Sequence, residues 1–156
     1  RQVRTGAEHG HIYDHFAVEF EYPGGITMFS QARQINGCQN LVSELLVGTA
    51  GRSNCKDAIE QKSGERWRFR QREASPYRQE HEDLIASIRE GKPLNEAHAV
   101  AESTMTGILG REAAYSGQAV AWDDAMKSST RLGQERYEFG SYPTPDVPMP
   151  GRYRFS

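Results

Sequence analysis

Two runs of alternating residues, one on each side of Pro23-Gly24-Gly25, constrain this chain more than any other feature. On the way in, Phe16, Val18, Phe20 and Tyr22 alternate with His15, Ala17, Glu19 and Glu21, the period of two that gives a strand one apolar and one polar face. On the way out, Thr27, Phe29, Gln31 and Arg33 alternate with Ile26, Met28, Ser30 and Ala32, and both faces are mixed. The stretch from Tyr13 to Ile35 is therefore predicted to be one long β-hairpin. A two-residue turn at Gly24-Gly25 is expected to set Phe20 opposite Phe29. Such a sheet rests one face on helices and leaves the other to water, a ligand or a partner protein.

The 156-residue chain as a whole bounds the function classes. A chain of this length makes one domain and buries roughly two thirds of the surface it exposes when unfolded. The formal charge of −2, with arginines scattered among glutamates, provides no field to gather nucleic acid or an anionic membrane. No apolar run approaches the roughly 20 residues that span a bilayer. The chain opens on Arg1 rather than Met, inside a strand-like run from Arg1 to Arg4, so it is expected to be a piece of a longer or processed protein. Cys38 and Cys55 are too few for a disulfide framework or a zinc site and are read as unpaired thiols.

Residues 5–12 form a loop with two glycines and two histidines. His9, His11 and His15, with Asp14 nearby, suggest a metal site, but their spacing matches no standard metal signature and no metal is expected. Contact with a small polar ligand suits them better. Leu41 to Thr49 is predicted to be a strand apolar enough to be central, ended by Gly48-Thr49-Ala50-Gly51, which lacks the spacing and lysine of a phosphate loop. Residues 52–63 are polar and weakly patterned. From Glu65 to Arg70, Trp67 and Phe69 alternate with Arg66, Arg68 and Arg70, a strand with a basic outer face. That strand has no aromatic partners on its basic face, so RNA binding is not expected.

The pattern then turns helical. Ser75-Pro76 opens a helix whose Tyr77, His81, Leu84, Ile85 and Ile88 recur at helical spacing, and Gly91 stands at its left-handed end. His81 falls on or beside the apolar stripe and is expected to be packed. A second helix runs from Asn95 to about Ser116, and its Ser103, Thr104, Gly107, Gly110, Ala113 and Ala114 predict close approach of another element. Gly117 ends it. Ala119 to Trp122 reads as a short strand and Asp123 as the cap of a brief helix through Met126. From Thr130 the chain is turn-rich, but Tyr137, Phe139, Tyr142, Tyr153 and Phe155 predict that it docks rather than floats.

Taken in order, these strands, the Gly48-Thr49-Ala50-Gly51 turn, Tyr77…Glu80…Leu84…Ile88…Gly91-Lys92-Pro93 and Tyr115-Ser116-Gly117-Gln118-Ala119-Val120 resemble the C-terminal domain of Gfo/Idh/MocA-type NAD(P)-dependent oxidoreductases. Gly10-His11-Ile12-Tyr13-Asp14-His15-Phe16, the strand from Met28 to Ile35, Val120-Ala121-Trp122-Asp123 and Val147-Pro148-Met149-Pro150-Gly151 look like a bacterial subgroup of predicted dehydrogenases. The resemblance covers nearly the whole chain.

It implies an α+β fold: a mostly antiparallel, open-faced sheet with two main helices packed on one face, as in glucose-fructose oxidoreductase-like dehydrogenases. Residues 1–129 would be one domain and residues 130–156 an extension docked on it or on a partner subunit. A Rossmann domain binding NAD or NADP and supplying a catalytic lysine would lie upstream, since no Gly-x-Gly-x-x-Gly unit occurs here and no cofactor is expected on this chain alone. No catalytic residue is assigned within it. The implied contribution is substrate binding, with His11, Tyr13, His15 and Arg33 as hydrogen-bonding groups toward a sugar, cyclitol or related alcohol. The resemblance also implies homo-oligomerisation through the open sheet face, with no nucleic-acid or membrane partner, and a compartment set by any upstream signal. The rival expectation is a non-enzymatic module that binds or assembles through the same sheet.

Overall fold

The computed structural model describes residues 3–70, 75–134 and 136–156. The chain is α+β, with two antiparallel sheets and three α-helices among the described residues. Its contacts divide it into two compact units, Arg1–Gly37 with Glu96–Ser156, and Cys38–Asn95.

In the first unit, β1 (His15–Tyr22) and β2 (Ile26–Arg33) form the hairpin. The register pairs Phe20 with Met28 and Glu19 with Phe29, a shift of one residue from the expected pairing. The loop is three residues long, Pro23-Gly24-Gly25, with φ of 82° at Gly24 and 75° at Gly25, values only glycine takes without strain. One residue of slip moves side chains to the opposite face. It therefore places Arg33 directly across from His15.

One face of β1 is covered by the long helix Ala97–Ser116, which with the helix Pro76–Glu90 of the second unit and the short Trp122–Lys127 gives α1 (Pro76–Glu90), α2 (Ala97–Ser116) and α3 (Trp122–Lys127) in chain order. The small residues of α2 do what their size predicts. A Cβ built on Gly110 would stand 2.7 Å from Phe20 Cζ, so the ring occupies the space that a side chain would need. Beside this contact lies an aromatic cluster: Tyr115 packs edge-on against Tyr13 at 4.7 Å between ring centres and against Tyr153 at 5.9 Å, with Phe16 adjoining. Tyr13, Tyr115 and Ala125 are the buried apolar residues among those described.

The C-terminal segment is tied to this cluster. Gly151 N–H donates to the Ser116 carbonyl at 2.9 Å, the Tyr13 hydroxyl donates to the Pro148 carbonyl at 2.7 Å, and the Tyr153 hydroxyl donates to Glu112 Oε2 at 2.7 Å. Tyr137 and Phe139 remain exposed, and the Tyr142 hydroxyl donates to the Arg136 carbonyl. Ala119 to Ala121 has no strand partner among the described residues, contrary to the expected strand, and α3 begins at Trp122 instead, with Asp123 and Asp124 in its first turn where the helix dipole favours carboxylates. Asp123 thus lies inside the helix rather than capping it.

The second unit holds β3 (Leu46–Val47), β4 (Gly51–Ser53), β5 (Ala58–Gln61) and β6 (Arg66–Arg68), in that order across an antiparallel sheet. The expected central strand Leu41–Thr49 is a correction: only Leu46 and Val47 pair, at the sheet edge, and Val42 is 94 % exposed. Those apolar side chains have no covering layer among the described residues against which to pack. The β4 to β5 turn escaped the sequence because it is built by one side chain, Asn54, whose Oδ1 accepts the N–H groups of Lys56, Asp57 and Ala58 at 2.9 to 3.2 Å. Cys55 sits in this turn at φ 55°, and both it and Cys38 are free thiols. Helix α1 has the expected ends, with Gly91 left-handed at φ 65°, but Ser75 makes no side-chain cap. Two further differences follow from its exposure. His81 is not packed: its side chain is 71 % exposed and Nδ1 donates to the Tyr77 carbonyl at 2.6 Å. Within its unit, and among the described residues, α1 packs on none of the four strands, whereas α2 packs on the hairpin of its own unit.

The packing of α2 separates its two interior glycines. Gly107 faces open space, so Gly107→Ala should raise stability by up to about 1 kcal/mol through helix propensity. Gly110→Ala should lose that gain because the Phe20 ring must move, and Gly110→Val should be clearly destabilising. Equal stabilisation by both alanines in chemical denaturation would refute the close approach.

Candidate functional site

Asp14 organises the polar end of the hairpin. It is buried just before β1, and its Oδ2 accepts the backbone N–H groups of Val3 at 2.8 Å and Arg4 at 2.7 Å. Oδ1 accepts from His15 Nδ1 at 2.8 Å. The backbone donation from Arg4 is the largest influence holding its carboxyl down to about 2; His15 and Val3 add to it, and burial opposes them. An ionised carboxylate only accepts, so the proton of this hydrogen bond is carried on His15 Nδ1. Asp14 therefore fixes the orientation of His15.

Arg33 stands directly opposite His15 on the hairpin face turned away from α2. The two side chains bring a cationic fork and an oriented imidazole to one exposed edge. A cavity of about 260 Å³ is lined by Arg4, Glu8, His9, Tyr13, Asp14 and Gln34 among others, the chain neighbours of His15 and Arg33 but neither residue itself. Arg4 Nη2 is 3.4 Å from His9 Nδ1, and Glu8 Oε1 is 3.5 Å from His9 Nε2. Glu8 and His9 lie on the short 3₁₀ turn Ala7–His9.

The four residues expected to meet a substrate are thus distributed unevenly. His15 and Arg33 are together. Tyr13 is buried in the aromatic cluster with its hydroxyl given to Pro148, and it enters the site as part of the cavity wall rather than as a companion of His15 on the open face. His11 lies in the preceding loop, half-buried, and makes no hydrogen bond among the described residues. No group of three or more His, Cys, Asp or Glu side chains converges on a metal position among the described residues, His9, His11 and His15 included.

Comparison with protein-family models, with curated proteins and with solved structures gives no match. The chemistry of the site rests on its geometry. Among the described residues no strand passes through a glycine turn into a helix N-terminus, and the Gly48–Gly51 turn is closed on itself by the Gly48 N–H donating to the Gly51 carbonyl at 2.8 Å. No helix among the described residues is long and apolar enough to cross a membrane.

A second polar centre lies in α2. Glu112 is fully buried in α2, with Arg111 Nη2 at 2.7 Å and Nε at 2.9 Å from Oε1, and Tyr153 on Oε2. Burial first, then the hydrogen bond and charge of Glu112, push the Tyr153 phenol up to about 12. The sequence signal for this centre was an Arg-Glu pair inside an otherwise small-residue helix, which periodicity alone does not mark. Arg4 and Gln34 were missed for a different reason: they reach the site only through chain reversal.

Asp14→Asn should speed hydrogen exchange at the Val3 and Arg4 amides by about tenfold or more, as an N–H bond to a charged acceptor is lost. Because the folded value lies below the ordinary ~3.9, the protection conferred by Asp14 should be complete above about pH 4 and fade as pH falls toward 2. Amides indifferent to both changes would remove Asp14 from its organising role. Tyr153→Phe, which leaves Glu112 Oε2 buried without its donor, should lower unfolding free energy by about 1–3 kcal/mol in urea titration.

Proposed function

We propose that this chain is the substrate-binding and subunit-association part of an NAD(P)-dependent oxidoreductase acting on a sugar, cyclitol or related alcohol. The observation that carries the reading is the pairing of His15, oriented by the buried Asp14 carboxylate, with Arg33 across the hairpin. A polyol presents neighbouring hydroxyl groups, each both donor and acceptor. An oriented imidazole opposite a guanidinium fork carries the group types that recognise such a pair, and the cavity lined by their chain neighbours Asp14 and Gln34 is of a size for a small carbon skeleton. Tyr13 serves as a wall of that cavity. The resemblance of the ordered strings from Gly10 to Gly151 to the C-terminal half of Gfo/Idh/MocA-type enzymes supports the same reading. In it, NAD or NADP is held by residues outside this chain, and the alcohol proton and hydride are handled there. What these residues do is bind and orient the alcohol.

Subunit association through the open hairpin face is the other half of the proposal. All eight residues of β2 are exposed, Phe29 at 72 %, which supports a face that expects a cover. The same observation favours the second reading, a module that assembles through its sheet with no enzymatic parent.

Titration calorimetry with NADH and NADPH separates the two. Residues 1–156 alone should show no saturable binding, while the full-length gene product should bind one of the cofactors and turn over a polyol. In that enzyme His15→Ala and Arg33→Ala should each raise KM for the alcohol by about tenfold, the worth of a charged or oriented hydrogen bond, and leave KM for the cofactor unchanged. A full-length protein that binds neither cofactor moves the reading to the assembly module.

A further inference from the structure

The free edge of β1 opens into a groove of about 1140 Å³ between the hairpin, α2 and residues 118–124. Its charged lining is of one sign: Glu19, Glu21, Glu102, Asp123 and Asp124, with no lysine or arginine among the described residues. Its floor is made of small residues, Gly110, Ala113 and Ala114. The backbone along this edge is unsatisfied in a regular pattern. Gln34 N–H donates to the directly opposite Asp14 carbonyl at 2.7 Å, which in an antiparallel ladder makes the even-numbered residues of β1 bond to β2 and turns those of Ala17, Glu19 and Glu21 outward. None of these three has a backbone partner among the described residues.

A second free edge in the same chain has the opposite character. Phe69 N–H donates to the Asp57 carbonyl and Gln61 N–H to the Glu65 carbonyl, so odd-numbered residues of β6 and its flanks bond to β5, and Arg66 and Arg68 turn their backbone groups outward. This edge alternates arginine with Trp67, which is 53 % exposed, and Phe69. Arg66 and Arg68 already meet Glu60 and Asp57 at 3.0 and 2.9 Å, yet each guanidinium has five donors and both side chains are largely exposed.

We infer that β6 of a second copy of this chain adds to the free edge of β1 as an antiparallel strand. The register that joins outward groups to outward groups sets Glu19 opposite Arg68 and Glu21 opposite Arg66. On the other face it sets Phe20 opposite Trp67 and Val18 opposite Phe69. Phe20 lies on the α2 side, so the indole enters the groove over Gly110 and Ala113. The alternatives are disfavoured by charge. Two β1 edges related by a two-fold axis set Glu19 against Glu19 or against Glu21 in registers centred on Glu19 or Phe20, and two β6 edges set arginine against arginine, like charges that destabilise a directly opposed pair. The mixed pairing sets opposite charges on one face and apolar residues on the other. It closes into a dimer when each copy gives one edge and receives the other, and otherwise propagates. This contact uses a strand edge, and it stands or falls separately from association through the open hairpin face and from the alcohol-binding reading.

The test is sedimentation of residues 1–156 as wild type, as Glu19→Arg/Glu21→Arg, as Arg66→Glu/Arg68→Glu, and as an equimolar mixture of the two variants, with circular dichroism to confirm that each is folded. All four positions are exposed on strand surfaces, so the fold should survive. Wild type should associate with a concentration dependence that weakens as salt rises; each variant should dissociate with a constant raised by at least about tenfold; and the mixture, in which opposite charges meet again, should recover association. Wild type that remains monomeric, variants that associate as wild type does, or a mixture that stays dissociated would each overturn the inference.

Discussion

The contact between Phe20 and the bare backbone at Gly110 is the point on which the first unit depends. It brings β1 close against the backbone of α2, with the ring in the space a side chain at Gly110 would need. With the helix at this depth, Tyr115, further along the same helix, reaches Tyr13 and Phe16, and Glu112 falls where Tyr153 closes over it. A buried carboxylate is tolerable only with its oxygens occupied, and here both are, one by the arginine beside it in sequence and one by a tyrosine from the C-terminal segment. That segment is thus required by the charge buried in α2 as well as by its own aromatic residues.

The second determinant is the loop at Pro23-Gly24-Gly25. A strand pair is fixed by the number of residues in its turn, and alternation along the strands is equally consistent with neighbouring registers when the return strand is mixed on both faces. A two-residue turn would have set Gln34 against His15. The three-residue loop sets Arg33 there, and with it the cation that gives the site its chemistry. Asp14 completes the arrangement by taking one side of the His15 ring and the two amides that open the described chain.

The elements with a strong internal rhythm were legible: the hairpin from Tyr13, the helix from Pro76 to Gly91 and the close-packing helix ending at Gly117. What failed to show was set by something other than rhythm. The apolar run from Leu41 promised a central strand because burial was inferred from composition, whereas only two of its residues find a ladder partner. The strands at Gly51–Ser53 and Ala58–Gln61 have little apolar patterning and are held by backbone pairing and the Asn54 turn. His81 lies near a helical stripe that its own unit does not cover, so periodicity located the stripe correctly and said nothing of its cover. Of the site, the histidine and arginine were visible as residue types. The carboxylate that orients the imidazole was visible only as a neighbour, since adjacent residues on an ideal strand point apart and Asp14 escapes that rule by preceding β1.

Exposed strand edges open a protein to indiscriminate pairing, and charge is the usual means of limiting it. The edges of β1, β2 and β6 meet this hazard differently. β2 presents Thr27, Phe29 and Gln31 outward, neutral residues that forbid no partner, with Arg33 charged at its end, on a strand exposed along its whole length. β1 and β6 each carry a single sign, so each rejects its own kind while accepting the other. A chain that needed only solubility would gain as much from mixed charges on every edge. Segregating glutamate to one edge and arginine to another, in matching phase with aromatic residues between, adds nothing to solubility and specifies a partner, which is why the complementarity argues for a contact rather than for a solvated surface.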